Sequence, residues 1–256
     1  MRPSSGGRLS RIALGCIPAA ILVFTWHLSV TISPRLEFFL GSPLGVARSI
    51  VRGLADGSLV KDGLVTGGET LAGFIIGNVG GLLVGIGLWW LPRVAPLFRP
   101  TITGLGAAPL FAVAPLLTLW FGTGFTAKVA VAALSTFFVA LSHAFRGINA
   151  IPESHVRLVR SFGGTRRAVF SYVGLPAMIQ WVSAAFRLNV GFALLGAFVG
   201  EFLSAEAGLG RRILVATGLF DMSEVLAGVV CLLLLALLLH GLVSLIERVT
   251  LHVLRS

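Results

Sequence analysis

The sequence predicts an all-α membrane protein with about six transmembrane helices, and its composition is the first reason. Hydrophobic residues make up 56% of the 256 residues and charged residues only 12%, with a mean hydropathy of +0.95. A soluble domain is usually about 45–50% apolar and about 25% charged, so this chain has too little polar surface for a globule in water. The second reason is that apolar runs of about 20 residues, the length that crosses a bilayer, recur along the chain between short polar segments.

The N-terminal region predicts one span and a connection. Residues 1–11 are polar and basic and residues 12–30 are apolar, a pattern shared with signal peptides. The apolar run continues past Cys16 for a full span, so we expect a retained first helix. Residues 33–63 are interpreted as a connecting loop, with a short amphipathic helix over 46–54, and the glycine-rich second span covers 64–91.

The middle of the chain predicts two further spans. A turn over 92–100 precedes a third span over 102–121, which contains Pro109 and Pro115. Prolines remove helical hydrogen bonds, which a membrane tolerates only against protein or a water-lined cavity. A Gly-Thr-Gly turn at 122–124 leads into the fourth span, over 127–144.

The last third combines a long polar stretch with two spans. Residues 145–174 are polar, the fifth span covers 175–203, a loop covers 205–224 and the sixth span covers 225–246. We therefore divide the chain into an N-terminal helix with its connection (1–63), a core of five helices (64–248) and a tail (249–256).

The distribution of Lys and Arg predicts the orientation of these spans. With the N-terminus inside, twelve basic residues lie in inner segments and seven in outer segments, Lys128 among the seven. Because basic residues accumulate on the cytoplasmic side, we expect a multi-pass protein of the plasma (inner) membrane with both termini cytoplasmic. The 145–174 stretch is then also cytoplasmic.

Several classes of function are excluded by what the sequence lacks. The formal charge is +10, but the basic residues lie between apolar runs without a nucleic-acid-binding motif, so no nucleic acid partner is expected. His143 and His240 have no evident partner, so no metal site is expected. No Gly-rich phosphate-binding loop occurs, so the chain is not expected to be an enzyme that hydrolyses ATP, and it needs no cofactor of its own.

The cytoplasmic stretch predicts two short helices meeting at a corner. Pro152 and Glu153 suit a helix start, and residues 155–162 have helical spacing. Gly163 and Gly164 end that helix, and Thr165 can cap a second helix that ends where Leu175-Pro176 opens the fifth span. An ordinary basic loop that only sets topology is the alternative.

This stretch resembles the permease subunits of binding-protein-dependent ABC importers. Their cytoplasmic loop carries E-A-A-x(3)-G-x(9)-I-x-L-P, and the chain matches from Gly163 through Val173 to Leu175-Pro176 without a gap. Arg157 stands where the motif has glutamate, and Val159 where it has alanine.

Other motifs extend the resemblance to the nitrate/sulfonate/taurine-like branch of that family, over about residues 64–246. They are Pro109, the Ala-Pro-Leu-Leu and Leu-Trp-Phe-Gly-Thr-Gly runs within 114–124, Arg187, and Glu201 followed by Gly-Leu-Gly at 208–210. Glu69 departs from the arginine that many members of this branch carry.

The resemblance implies a type I ABC importer permease fold with a coupling-helix loop over 152–176, between the fourth and fifth spans. It implies docking to separate ABC ATPase subunits, an extracytoplasmic solute-binding protein, a second permease copy (identical or a close relative) and membrane lipid. The solute would be a sulfonate-, nitrate- or taurine-like anion, or a pyrimidine or vitamin precursor. The coupling residues would be Glu153, Arg157, Arg160, Ser161, Phe162, Gly163, Gly164, Thr165 and Arg166.

Ionisable groups inside a span are functional candidates because burying them is costly. Arg187 and Glu201 are too far apart on one helix to pair with each other, and each is expected to face the bundle interior or a cavity. The structural alternative has Arg187 binding carbonyls near Pro109 or Pro115, and Glu201 fixing the following loop. Other polar side chains within spans either line a pathway or hold helices together: Asn78, Ser135, Thr136, Gln180, Ser183 and Asn189.

Two other classes remain open, a stand-alone secondary carrier and an intramembrane enzyme. Many carriers are built from repeats, and none is visible here. An enzyme needs a convergent catalytic cluster, whereas Arg187 and Glu201 are isolated in the sequence.

Overall fold

The protein is described by a computed structural model over residues 6–106, 110–204 and 206–253, and all regular structure within these ranges is helical. Pro109 lies outside the described residues. A π-helical turn, Phe170–Gly174, joins α9 to α10. In chain order the α-helices are α1 (Gly6–Ile32), α2 (Pro34–Leu40), α3 (Pro43–Ala55), α4 (Ser58–Trp90), α5 (Ala95–Gly106), α6 (Leu110–Phe121), α7 (Phe125–Asn149), α8 (Glu153–Ser161), α9 (Arg166–Val169), α10 (Leu175–Ser204), α11 (Leu209–Gly218) and α12 (Met222–Val253).

Four helical stretches among the described residues are long and apolar enough to cross a membrane. They are Ser58–Trp90, Phe125–Asn149, Arg166–Ser204 and Met222–Glu247. Two shorter apolar helices occur in the described ranges: Ala20–Ile32 overlaps the first predicted span, and Ala112–Phe121 lies within the third. The all-α membrane class is confirmed, while the count of six spans stays a prediction.

Three predicted connections contain more helix than the sequence analysis indicated. The connection over 33–63 holds α2, α3 and the start of α4, the turn over 92–100 falls largely in α5, and the loop over 205–224 holds α11. Local caps explain the first case, since the Ser42 side chain accepts the Gly45 N–H at 3.2 Å and Pro43 stands in the first turn of α3. Polar composition marked these segments as loops, although short helices also carry polar faces.

The end predicted for the second cytoplasmic helix is also wrong. Leu175-Pro176 does not end α9, because the chain continues through the π turn into α10 as one helical stretch, Arg166–Ser204. Proline removes a backbone hydrogen bond, and here it does so directly after a turn that already departs from α-helical pairing. The corner is therefore continuous with the long helix that follows it.

The chain divides into two compact units, residues 1–61 with 212–231 and residues 62–211 with 232–256. In the first unit, Arg212 Nε donates to Glu224 Oε1 at 2.6 Å, and Arg212 Nη1 donates to Ser58 Oγ at 3.0 Å. In the same unit, Ser223 Oγ accepts the Ser42 N–H at 3.3 Å. These bonds connect segments far apart in sequence. The division into 1–63, 64–248 and 249–256 stays a prediction.

In the second unit, α4 packs against α7 through glycines. A Cβ added at Gly77 would lie 1.9 Å from Thr136 Oγ1, and one added at Gly81 would lie 2.4 Å from the Phe137 carbonyl oxygen. On α10, a Cβ at Gly196 would lie 2.6 Å from Ala132 Cα. Small residues let helix backbones approach closely where no water drives association. These glycines therefore serve helix packing.

The outward faces of the long helices are apolar. On α12, Leu233, Leu234, Leu237 and Leu238 have between 58% and 69% of their surface exposed. A water-soluble protein rarely leaves a contiguous apolar face of this kind uncovered, whereas hydrocarbon covers it at no cost.

Candidate functional site

The predicted glycine corner is a compact helix-ending turn. Gly163 has φ +76°, the left-handed region that glycine adopts without strain. Its N–H donates to the Arg160 carbonyl at 2.9 Å, and the Gly164 N–H donates to the Val159 carbonyl at 3.0 Å. This pair of bonds is the Schellman arrangement that closes a helix. A Cβ at Gly164 would lie 2.5 Å from Val159 Cγ1, whereas the space beside Gly163 is open.

The face of α8 is exposed and charged. Glu153 Oε2 lies 3.5 Å from Arg157 Nη2, with both side chains largely in solvent. Phe162 at the corner is 84% exposed, and Ser161 Oγ donates to the Leu158 carbonyl at 2.7 Å. Aromatic and arginine side chains are enriched at protein contact surfaces.

The second half of the corner is fixed to the end of α4. The Thr165 side chain accepts the Ala168 N–H at 3.4 Å and so caps α9. The Arg166 guanidinium lies 4.9 Å from the Trp89 ring centre and 5.3 Å from that of Trp90, and it donates to the Trp89 carbonyl. Cation–π contacts and a charged hydrogen bond here join α9 to α4.

The tryptophans of this contact were missed by the sequence analysis. Adjacent tryptophans at the end of an apolar run mark a membrane–water interface. That signal predicts a level in the membrane, but it does not predict which basic residue packs on the rings.

At the other end of α10, Glu201 holds the following loop. Its Oε1 lies 2.6 Å from Thr66 Oγ1, and its Oε2 accepts the Gly210 N–H at 2.5 Å. Thr66 Oγ1 also accepts the Leu209 N–H at 2.9 Å. Glu201 and Thr66 are fully buried. This carboxylate therefore joins α10, α4 and the start of α11.

Next to this network lies an ion pair that the sequence analysis did not predict. Lys128 Nζ is 3.7 Å from Glu69 Oε1, and both side chains are almost fully buried. The sequence analysis counted Lys128 among the basic residues of the outer segments and gave it no partner; its position in an outer segment stays a prediction. A lysine near the start of an apolar helix, with an unmatched glutamate on another span, is the signal that could have indicated a pair.

A second buried polar contact joins α4, α7 and α10. Asn189 Nδ2 donates to Asn78 Oδ1 at 2.6 Å and to the Thr136 carbonyl at 3.2 Å. Asn78 in turn donates to the Phe74 carbonyl at 2.7 Å. Ser135 Oγ lies within hydrogen-bonding distance of the Phe192 carbonyl, at 2.8 Å. In this conformation these side chains hold helices together.

The remaining pathway candidates lie elsewhere on α10. Arg187 Nη2 is 3.3 Å from Glu247 Oε1, and about half of the arginine side chain is exposed, at 52%. Its partner is thus a carboxylate on α12 and not the carbonyls near Pro115. Ser183 is half-buried. The side chain of Gln180 lies outside the described residues.

The polar groups described above fall into two classes, buried and exposed. Buried polar groups join helices, while the α8–α9 corner presents charge and an aromatic ring to the outside. No group of three or more His, Cys, Asp or Glu side chains that could hold a metal ion occurs among the described residues.

Comparison with known proteins identifies the family. Residues 77–251 match the family described as "Binding-protein-dependent transport system inner membrane component". The riboflavin transport system permease protein RibX of Chloroflexus aurantiacus is 34% identical over 237 residues, covering 92% of this chain and 88% of the relative. The formylaminopyrimidine transport permease protein ThiX of Halalkalibacterium halodurans is 31% identical over 182 residues, covering 70% of this chain and 72% of that protein.

The fold agrees with this assignment. A chain from the crystal structure of "an amino acid ABC transporter with histidines" superposes with a TM-score of 0.62 at 19% identity, covering 77% of this chain and 96% of that one. The all-helical membrane architecture, the sequence matches and the fold lead to one conclusion: this chain belongs to the family of inner-membrane permease components of binding-protein-dependent ABC transport systems.

Proposed function

We propose that the chain forms the translocation pathway of an importer and that its α8–α9 corner receives the motion of a separate ATPase subunit. The observation that supports this is the connection of the corner to both long helices. Arg166 fixes the corner to the end of α4, and the helix beginning at Arg166 continues into α10. A stiff element anchored at both ends can convert movement of a partner into movement of the spans.

Membership of the family supports the remaining parts of the proposal. ATP is hydrolysed by separate subunits that dock at α8, an extracytoplasmic protein delivers the solute, and a second permease copy completes the pathway. Six spans with both termini in the cytoplasm place α8 on the side of the ATPase. The chain itself carries no cofactor.

The proposed solute is a small nitrogen heterocycle of the vitamin or vitamin-precursor class. RibX is named for riboflavin and ThiX for formylaminopyrimidine, and both are at least 30% identical to this chain. A sulfonate anion of the taurine type is the alternative class. Uptake of riboflavin, a formylaminopyrimidine and taurine by cells that lack their own importers distinguishes these classes.

The coupling role is tested by two substitutions at Gly163. A Gly163→Val chain must place a β-branched residue in the left-handed region, which costs about 1–2 kcal/mol or more. We expect normal membrane insertion but no uptake. Gly163→Asn is the matched control, because asparagine tolerates this conformation, and it should retain most of the uptake.

ATP hydrolysis by the co-purified ATPase completes the measurement. Uptake by the Gly163→Val chain at the wild-type rate, with normal ATP coupling, would contradict the coupling role. Uptake that continues without any ATPase subunit would identify a stand-alone carrier.

A further inference from the structure

A cavity of about 750 Å³ lies behind the α8–α9 corner. It is lined by residues of α5, α8 and α9 and by the C-terminal ends of α4 and α7. Its wall is mainly apolar and is formed by Leu88, Trp89, Ala95, Phe145, Ile148 and Val156, among others. Arg160, Arg166 and Asn149 supply its polar lining. The cavity therefore offers an apolar surface together with two positive charges.

The two arginines have capacity for an anion. Neither Arg160 nor Arg166 forms an ion pair with a carboxylate among the described residues. Arg166 is held in place by the Trp89 and Trp90 rings and gives one hydrogen bond to the Trp89 carbonyl. A guanidinium carries five N–H donors in a planar fork that fits phosphate, so donors remain for a ligand.

The position of the cavity matches the edge of a bilayer. The candidate span Ser58–Trp90 ends directly after Trp89, and Trp89 forms part of the cavity wall together with Pro92. Tryptophans are enriched at the level of lipid headgroups. Basic pockets between spans at this level bind the headgroups of anionic lipids.

We infer that this cavity binds one anionic phospholipid, with its phosphate at Arg160 and Arg166 and the first part of an acyl chain against the apolar wall. A free phosphate would use the guanidinium groups but leave the wall exposed. A zwitterionic lipid would bring an ammonium group toward two positive charges. The bound lipid would brace α8 and α9 against the end of α4.

The test measures lipid binding to the purified full chain, together with any subunits that remain bound. Native mass spectrometry compares phosphatidylglycerol with phosphatidylcholine of the same acyl chains. We expect tighter binding of phosphatidylglycerol. In the double variant Arg160→Gln/Arg166→Gln that affinity should fall about thirtyfold, the effect of two guanidinium–phosphate attractions of ordinary size at a membrane surface.

The matched control is Arg157→Gln/Arg167→Gln, which removes the same charge from the same two helices outside the cavity lining. Its phosphatidylglycerol affinity should change by less than about threefold, because neither guanidinium group lines the cavity and surface charges away from the bound group contribute little. A second variant, Val156→Trp, fills the cavity without changing charge and should also weaken binding. Elution volume and circular dichroism verify that each variant is folded.

Four outcomes would overturn the inference. One is wild-type phosphatidylglycerol binding by the Arg160→Gln/Arg166→Gln chain, and another is an equal loss in the Arg157→Gln/Arg167→Gln control, which would indicate diffuse surface charge. A third is unchanged binding by the folded Val156→Trp chain. The fourth is complete displacement of the lipid by excess inorganic phosphate, which would indicate a site for phosphate alone.

Discussion

The α8–α9 corner and the contacts between the long helices both contain glutamate and glycine, but these residues have different structural roles in the two regions. Glu153 on α8 is exposed and pairs loosely with Arg157, whereas Glu201 is fully buried and joins three segments. Gly163 provides a left-handed turn in open space, whereas Gly77 lets two helix backbones approach. Burial, and not residue type, decides whether a group stabilises the fold or remains available to a partner.

The two regions are expected to differ most in how much unfolding free energy is lost when a glutamate is replaced. Replacing Glu201 with alanine leaves the buried Gly210 N–H without its acceptor and removes one partner of the Thr66 hydroxyl, which keeps the Asp62 carbonyl. An unsatisfied buried donor costs about 1–3 kcal/mol and the cavity left by a truncated buried side chain costs about 2 kcal/mol or more, so we expect a loss of about 3–5 kcal/mol in the unfolding free energy. Reversible unfolding in detergent or bicelles measures it.

The matched control for this change is Glu153→Ala on α8. Exposed helical pairs contribute about 0.3–0.5 kcal/mol, so its unfolding free energy should be close to that of the wild type. Equal effects of the two substitutions would contradict the distinction between the regions.

A smaller loss of unfolding free energy is expected when a glycine at a helix contact is replaced. Valine at Gly77 would collide with Thr136 Oγ1 and with the Ala133 carbonyl oxygen, 1.9 and 2.3 Å from the new Cβ. Overpacking of this kind typically costs about 1–3 kcal/mol, because α4 and α7 must separate. The same unfolding assay applies.

Gly87 on the same helix is the control, since a Cβ there meets nothing within 4 Å. Gly87→Ala should leave stability unchanged or raise it by up to about 1 kcal/mol. If Gly77→Val were as stable as Gly87→Ala, the close packing of α4 and α7 would be refuted.

The smallest expected effect on stability is at Asp56, an exposed carboxylate outside the spans. Hydrogen bonds from the Ser58 side chain and backbone lower the pKa of Asp56 below its ordinary value, and Asp56 Oδ1 accepts the Ser58 N–H at 2.8 Å. A lowered pKa means that this contact stabilises the start of α4 above the unfolded-state pKa of Asp56 and is lost as pH falls through the folded-state value.

Amide exchange at Ser58 measures that loss. Protection of the Ser58 N–H, corrected for the intrinsic rate, should fall on acidification in the wild type and be insensitive to pH in Asp56→Asn. If protection of the Ser58 N–H still fell on acidification in the Asp56→Asn chain, a titrating group other than Asp56 would be responsible.

The elements of the corner could be predicted because their signals are local. Glu153 at a helix start, Gly163 at a helix end and Thr165 as a cap each act on backbone groups within a few residues. Bulk composition likewise determined the all-α membrane class. The extent of helix in the connections was not predicted, because polarity alone does not distinguish a loop from a short capped helix.

The amino-acid sequence is enough to identify the residues that are costly to place in hydrocarbon, whereas the partner of each one depends on how the helices pack. Lys128 meets Glu69, Glu201 meets Thr66 and Gly210, Arg187 meets Glu247, and Arg166 packs on Trp89. Each partner lies on a different helix from the residue it meets. Periodicity and spacing report only on neighbours along the chain, whereas the cost of burying a charge is offset by partners that packing brings from far away.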